Sequence, residues 1–125
     1  MGKKKPALNT LNLNRMMMND KHFKGTAALN ILLSYKPPKI PNPLKLIANL
    51  QPNNFPENHW VAIARNHNGN VTYFDSTGKP PPPEIANWVR LNSNSWKYST
   101  NKVQKTGDLS SCGYLCVSFL KNFRI

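Results

Sequence analysis

Acidic side chains are scarce in this chain of 125 residues: five Asp and Glu stand against seventeen Lys and Arg, giving a formal net charge of +12. That balance makes nucleic acid the leading candidate partner, because affinity for a polyanion grows with the number of phosphates neutralised, beside the plainer reading of a basic protein with no specific ligand. Cysteine is scarce too. Only Cys112 and Cys116 are present, too few for a small secreted domain held together by disulfides. Four residues apart on a helix they cannot pair without distortion, so both are expected as thiols in a reducing compartment. Long apolar runs are missing as well. The stretch Ala27 to Leu33 is far too short to cross a bilayer, and the start of the chain has no apolar run behind its charged head, so neither a membrane span nor a secretion signal is expected. Apolar residues make up only 39% of the chain. One small core with long polar connections is therefore expected, in a single domain.

What is present falls into segments. Residues 1–24 read as a basic, poorly structured arm, with Lys3, Lys4, Lys5 and Arg15 set in Asn-rich sequence as candidate DNA contacts. Residues 25–125 read as the folded domain. Within it, Gly25 to Tyr35 is expected to be a short helix that stops before Pro37 and Pro38. Leu44 to Leu50 reads as a buried strand. Trp60 to Ala64, apolar on both faces, reads as a central one. Asn68-Gly69 signals a hairpin into a third strand, Val71 to Phe74. Pro83 suits a helix start, with Glu84 in its first turn. Trp96 to Thr100 alternates like a strand, and Cys112 to Phe123 carries Leu115, Cys116, Phe119, Leu120 and Phe123 at helical core spacing.

Four residues could carry chemistry. Cys112 follows Ser110-Ser111, which are good N-caps, so it falls in the first turn of the last helix. There the positive end of the helix favours a thiolate and aims backbone N–H groups at whatever the sulfur attacks. Gly113 would let a substrate backbone approach. Cys116, one turn further in beside Phe119 and Leu120, fits an inert buried thiol. His59 sits where a polar loop meets a buried strand, a place for a general base, although a histidine at a strand edge is often only a surface residue. Asp75 ends the next strand at the same end of the hairpin, where it could orient the imidazole; opening a turn in Asp-Ser-Thr-Gly is its plainer role. Gln104 precedes the nucleophile loop, and its amide could donate to an oxyanion. Cys112, Cys116 and a distant histidine do not make a zinc spacing, so no metal is expected.

The order of these pieces is more specific than any one of them. Asn58-His59-Trp60-Val61-Ala62, Tyr73-Phe74-Asp75-Ser76-Thr77-Gly78, Val103-Gln104 and Ser111-Cys112-Gly113-Tyr114-Leu115-Cys116 resemble, in this order, the motifs of the adenovirus endopeptidase (adenain) family. The resemblance is closest to relatives in virophages and in Polinton or Maverick transposons, and more distant to SUMO-specific proteases. It runs from about Leu44 to the last residue; the first third departs from the pattern, and the chain stops soon after the nucleophile helix, as a truncated copy would. The resemblance implies an α+β fold, a central, mainly antiparallel sheet packed against the nucleophile helix. It implies a cysteine endopeptidase that processes viral or element-encoded capsid proteins through an acyl-thioester. His59 would be the base, Asp75 its orienter, Gln104 the oxyanion donor and Cys112 the nucleophile, with Trp60 walling the cleft. It also implies no required cofactor, stimulation by DNA, a monomer, and a place in the virion or the infected cell. Two other readings stand beside it: a deconjugating isopeptidase of a ubiquitin-like protein, and a non-catalytic basic DNA-binding module.

Overall fold

The computed structural model describes residues 8–50, 59–102 and 111–125. The elements are α1 (Thr10–Met16), β1 (Phe23–Ala28), α2 (Leu29–Ser34), β2 (Leu44–Asn49), β3 (Trp60–Arg65), β4 (Asn70–Phe74), α3 (Pro83–Leu91), β5 (Ser95–Tyr98) and α4 (Cys112–Asn122). The strands form one sheet in the order β1-β2-β3-β4-β5. Its centre is antiparallel, β2 with β3 and β3 with β4, while β1 and β5 add at the edges in parallel.

Alternation along the central strands sorts the side chains into two cores. Trp60, Ala62 and Ala64 of β3 face α4 and α1, in a cluster with Leu13, Met17, Phe74, Cys116, Val117 and Leu120. Val61 and Ile63 face the other way, against Leu32 of α2 and Ile85, Trp88 and Val89 of α3. All six residues of β3 are buried, and the first five, Trp60 to Ala64, are apolar without a break. The β3–β4 turn closes as the Asn68-Gly69 signal implies: Gly69 has a φ of +79°, the left-handed conformation that favours glycine. A side chain there would also strike Asn94 and Ile40 at 2.7 Å.

Two sequence expectations differ from what is found. The arm expected to be poorly structured through residue 24 is, from Leu8 onward, part of the fold. Asn9 and Asn12 exchange backbone and side-chain hydrogen bonds of 2.8 and 3.1 Å in a capping box that starts α1. Leu13 and Met17, one helical turn apart, are both buried. The charge and Asn content masked that apolar stripe. Second, the helix expected over Gly25 to Tyr35 is split: its first residues join β1 beside β2, and only Leu29–Ser34 is helical. A short apolar run suits either structure, and pairing with a buried neighbour decides it. Arg65, the last residue of β3, is a buried cation. Its guanidinium donates to the carbonyls of Asn92 and Asn42 at 3.0 Å each and to that of Pro38, tying the connection before β2 to the end of α3.

Candidate active site

The sheet carries His59 to the right place before any side chain is considered. Its carbonyl accepts from the Leu50 N–H at 2.9 Å, so the pairing of β2 with β3 runs through this residue and fixes its backbone. Across the hairpin, Ala62 pairs with Phe74. One step further the register sets Val61 opposite Asp75, which makes Asp75 a diagonal neighbour of His59. The geometry follows: His59 Nε2 lies 3.0 Å from Asp75 Oδ2 and donates to it.

Asp75 is buried, with its other oxygen occupied too. Oδ1 accepts from the Thr77 backbone N–H at 2.8 Å and from the Thr77 hydroxyl at 2.6 Å. Burial alone would push its carboxyl pKa up. The bonds from His59 and Thr77 outweigh that, so the pKa lies below the usual carboxylate range and the group stays ionised.

Cys112 opens α4, which packs on β3, and its Sγ accepts from the Trp60 backbone N–H at 3.5 Å. Ser111 stands at the N-cap as expected, although its side chain makes no capping bond. Cys112 also acts on His59, as the second-largest influence that raises its pKa. The hydrogen bond to Asp75 and then Cys112 outweigh burial and raise the His59 pKa from an ordinary 6.5 to about 9. The imidazole therefore holds a proton at neutral pH. The His59 side chain is 32% exposed, whereas Cys112 is 2% exposed, so the imidazole is the open side of the cluster. Such an arrangement can take a proton from a thiol, hold it, and return it to a leaving group.

Cys116 is fully buried, and burial first, then the charges of Cys112 and Asp75, push its thiol well up. Neither cysteine is in a disulfide. Gln104 and Lys3 to Lys5 lie outside the described residues, and Arg15 is exposed in α1. Two residues read from sequence as substrate contacts are placed in the core instead. Trp60 is 2% exposed, and its indole donates to the Leu8 carbonyl at 3.1 Å. A β-carbon at Gly113 would lie 3.2 to 3.3 Å from Leu8, Trp60 and Leu13. The missing side chain thus admits the N-terminal segment against α4, which a reading of residues 44–125 alone does not reveal. Thr77 is the residue at this site that the sequence reading passed over. Its signal was the Asp-Ser-Thr-Gly turn, where a hydroxyl two residues after an aspartate can reach back to it.

The α+β fold expected from the sequence, that of cysteine proteases of the adenain and SUMO-protease type, is the fold found. Among solved structures the chain is similar to the ASFV pS273R protease. The selenomethionine form of that protein aligns with a TM-score of 0.61 at 17% identity, over 95% of this chain and 60% of the other. A second structure of the same protease gives 0.58 at 14% identity, over 96% and 62%. The chain thus spans about three fifths of the length of the proteases it resembles. No family model and no curated protein matches it.

Proposed function

We propose that this chain is a cysteine endopeptidase related to those of virophages and Polinton or Maverick elements, acting on capsid or precursor proteins of a virus or mobile element. The observation that carries the reading is His59 hydrogen-bonded at 3.0 Å to a buried, ionised Asp75, in a cluster with the Cys112 sulfur at the start of α4, which accepts from the N–H of Trp60, the residue after His59. In the reaction the Cys112 sulfur, its proton held by His59, attacks the carbonyl carbon of the scissile bond, and the carbonyl electron pair moves to oxygen. Collapse expels the amine, which takes the proton from His59, and leaves a thioester on Cys112. Water then attacks the thioester while His59 removes its proton, and the thiolate departs. Gln104 is assigned to the oxyanion on the strength of its place in the sequence. The test is incubation with the capsid protein encoded beside this chain. Cleavage blocked by prior treatment with iodoacetamide is expected; an uncut capsid protein, with Cys112 labelled by a ubiquitin-like vinyl sulfone, would give the site to the isopeptidase reading.

Nucleic acid is proposed as a second, non-specific partner. Among the described residues every lysine except Lys45 is exposed, while Asp20 and Asp75 are spent on internal pairs. Binding to duplex DNA is expected to weaken steeply with salt, log K falling by about 0.9 for each phosphate neutralised per decade of salt. Anisotropy titrations at several salt concentrations check it; binding indifferent to salt would contradict it.

A further inference from the structure

We propose that Thr77 is a positioning residue for this site: its hydroxyl and backbone amide together hold one carboxylate oxygen of Asp75 so that the other faces His59. The inference rests on the protease reading of the His59, Asp75 and Cys112 cluster. The division of labour on the carboxylate carries it. Oδ1 receives both Thr77 bonds, at 2.8 and 2.6 Å, and Oδ2 receives His59 at 3.0 Å. The hydroxyl bond has the short length of an O–H donor to an ionised oxygen. A carboxylate held on one oxygen only could rotate about its last side-chain bond, and Oδ2 would leave the plane of the imidazole. His59, a third exposed, has Asp75 and Cys112 as the titratable groups that face it, so its orientation depends on theirs.

The turn that carries Thr77 is itself pinned. The Gly78 N–H donates to the Asp75 carbonyl at 2.8 Å, closing the turn. Gly78 has a φ of +78°, and a β-carbon there would come within 2.8 Å of the Thr100 carbonyl oxygen. The end of β4 is therefore fixed from two sides, and the Thr77 hydroxyl meets Asp75 without having to order a loose loop. A hydroxyl that only stabilised the turn would affect melting and leave the imidazole unchanged, which separates the two roles.

The experiment is an NMR titration of the His59 ring in the full chain, with steady-state cleavage measured beside it. Thr77→Val removes the hydroxyl and keeps the shape and the amide. Thr77→Ser keeps the hydroxyl, and Thr72→Val, on β4 away from the cluster, is the control. In Thr77→Val the His59 midpoint is expected to fall from about 9 toward the ordinary 6.5. The same variant should lower kcat about 10- to 100-fold, the effect of one hydrogen bond to a charged group, with KM unchanged. Thr77→Ser should restore both, and Thr72→Val should change neither. If Thr77→Val does not fold, Thr77→Ala takes its place. A wild-type His59 midpoint in the valine variant, or a serine variant no better than valine, would overturn the proposal. The titration needs no substrate. A midpoint that moves in a chain that cleaves nothing upholds the role of Thr77 and sinks the protease reading. Cleavage with an unmoved midpoint does the reverse.

Discussion

Cys112→Ala and His59→Ala are each expected to remove nearly all peptide cleavage, on the order of 10⁴- to 10⁶-fold in kcat, and the double variant to lose little more. The non-additivity follows from the geometry. One proton passes between the Cys112 sulfur and His59, so losing either partner disables the same step. Asp75→Asn should be milder than His59→Ala, because the amide still occupies the place beside Nε2 while supplying no charge for the imidazolium. Circular dichroism should show all four variants folded. A folded His59→Ala chain that cleaves at the unmutated rate would remove His59 from the mechanism.

The activity should also fall on the alkaline side near pH 9, where His59 gives up its proton. The same group makes a contribution to stability, and its sign is opposite to that of a carboxylate. A histidine whose pKa rises on folding stabilises the fold fully below 6.5, and that stabilisation is lost as the pH rises through about 9. Melting temperatures compared at pH 6 and pH 9.5, in wild type and in His59→Ala, separate this loss from the loss of the nucleophile.

The largest expected effect on stability lies away from the site, at Asp20. Lys45 is only 5% exposed, and its ammonium meets Asp20 Oδ2 at 2.6 Å. Asp20→Ala would leave that ammonium buried without a counter-charge, at a cost of about 3–5 kcal/mol. It would also remove the 2.9 Å bond from the His22 N–H to Oδ1 that shapes the entry to β1. In a chain of this size the melting temperature should fall by about 10 °C or more. Adding Lys45→Met should recover most of the loss, since the buried charge is then gone. Burial pushes the Asp20 carboxyl up, but the hydrogen bonds from Lys45 and His22 bring it below 3.8. The stabilisation from this pair is therefore present above 3.8 and disappears as the pH falls through the lower, folded value. A loss under 1 kcal/mol in Asp20→Ala would mean that the pair behaves as an exposed one.

The central hairpin was legible because its signals are local. A continuous apolar run, an Asn-Gly turn and a second apolar run leave one arrangement, and that arrangement brings His59 and Asp75 to the same end. Helices α3 and α4 were legible for the same reason, with Pro83 at the start of one and apolar side chains at helical spacing in the other. The N-terminal segment was not. Leu8, Leu13 and Met17 gain their place only from Trp60, Gly113 and α4, which lie far along the chain. For the same reason Trp60, next to His59 in sequence, and Gly113, next to Cys112, read as surfaces for a substrate, whereas both are buried against the N-terminal segment. Arg65 hides equally well, since a cation at the end of an apolar strand looks like its exposed terminus until three distant carbonyls surround it. Thr77 was visible as a residue of a turn. Its bond to Asp75 Oδ1 depends on which way the carboxylate points, which no pattern of residues encodes.

The most direct test of the account is the rate at which iodoacetamide modifies each cysteine of the folded chain between pH 6 and 8, read by peptide mass spectrometry. Cys112, at the start of α4 beside His59, should react far faster than the fully buried Cys116. Replacing His59 by alanine should slow Cys112 by at least about tenfold at pH 6, because the sulfur loses the imidazolium beside it. Equal rates at the two cysteines, or a Cys112 rate that His59→Ala leaves unchanged, would contradict the assignment of the nucleophile and its base.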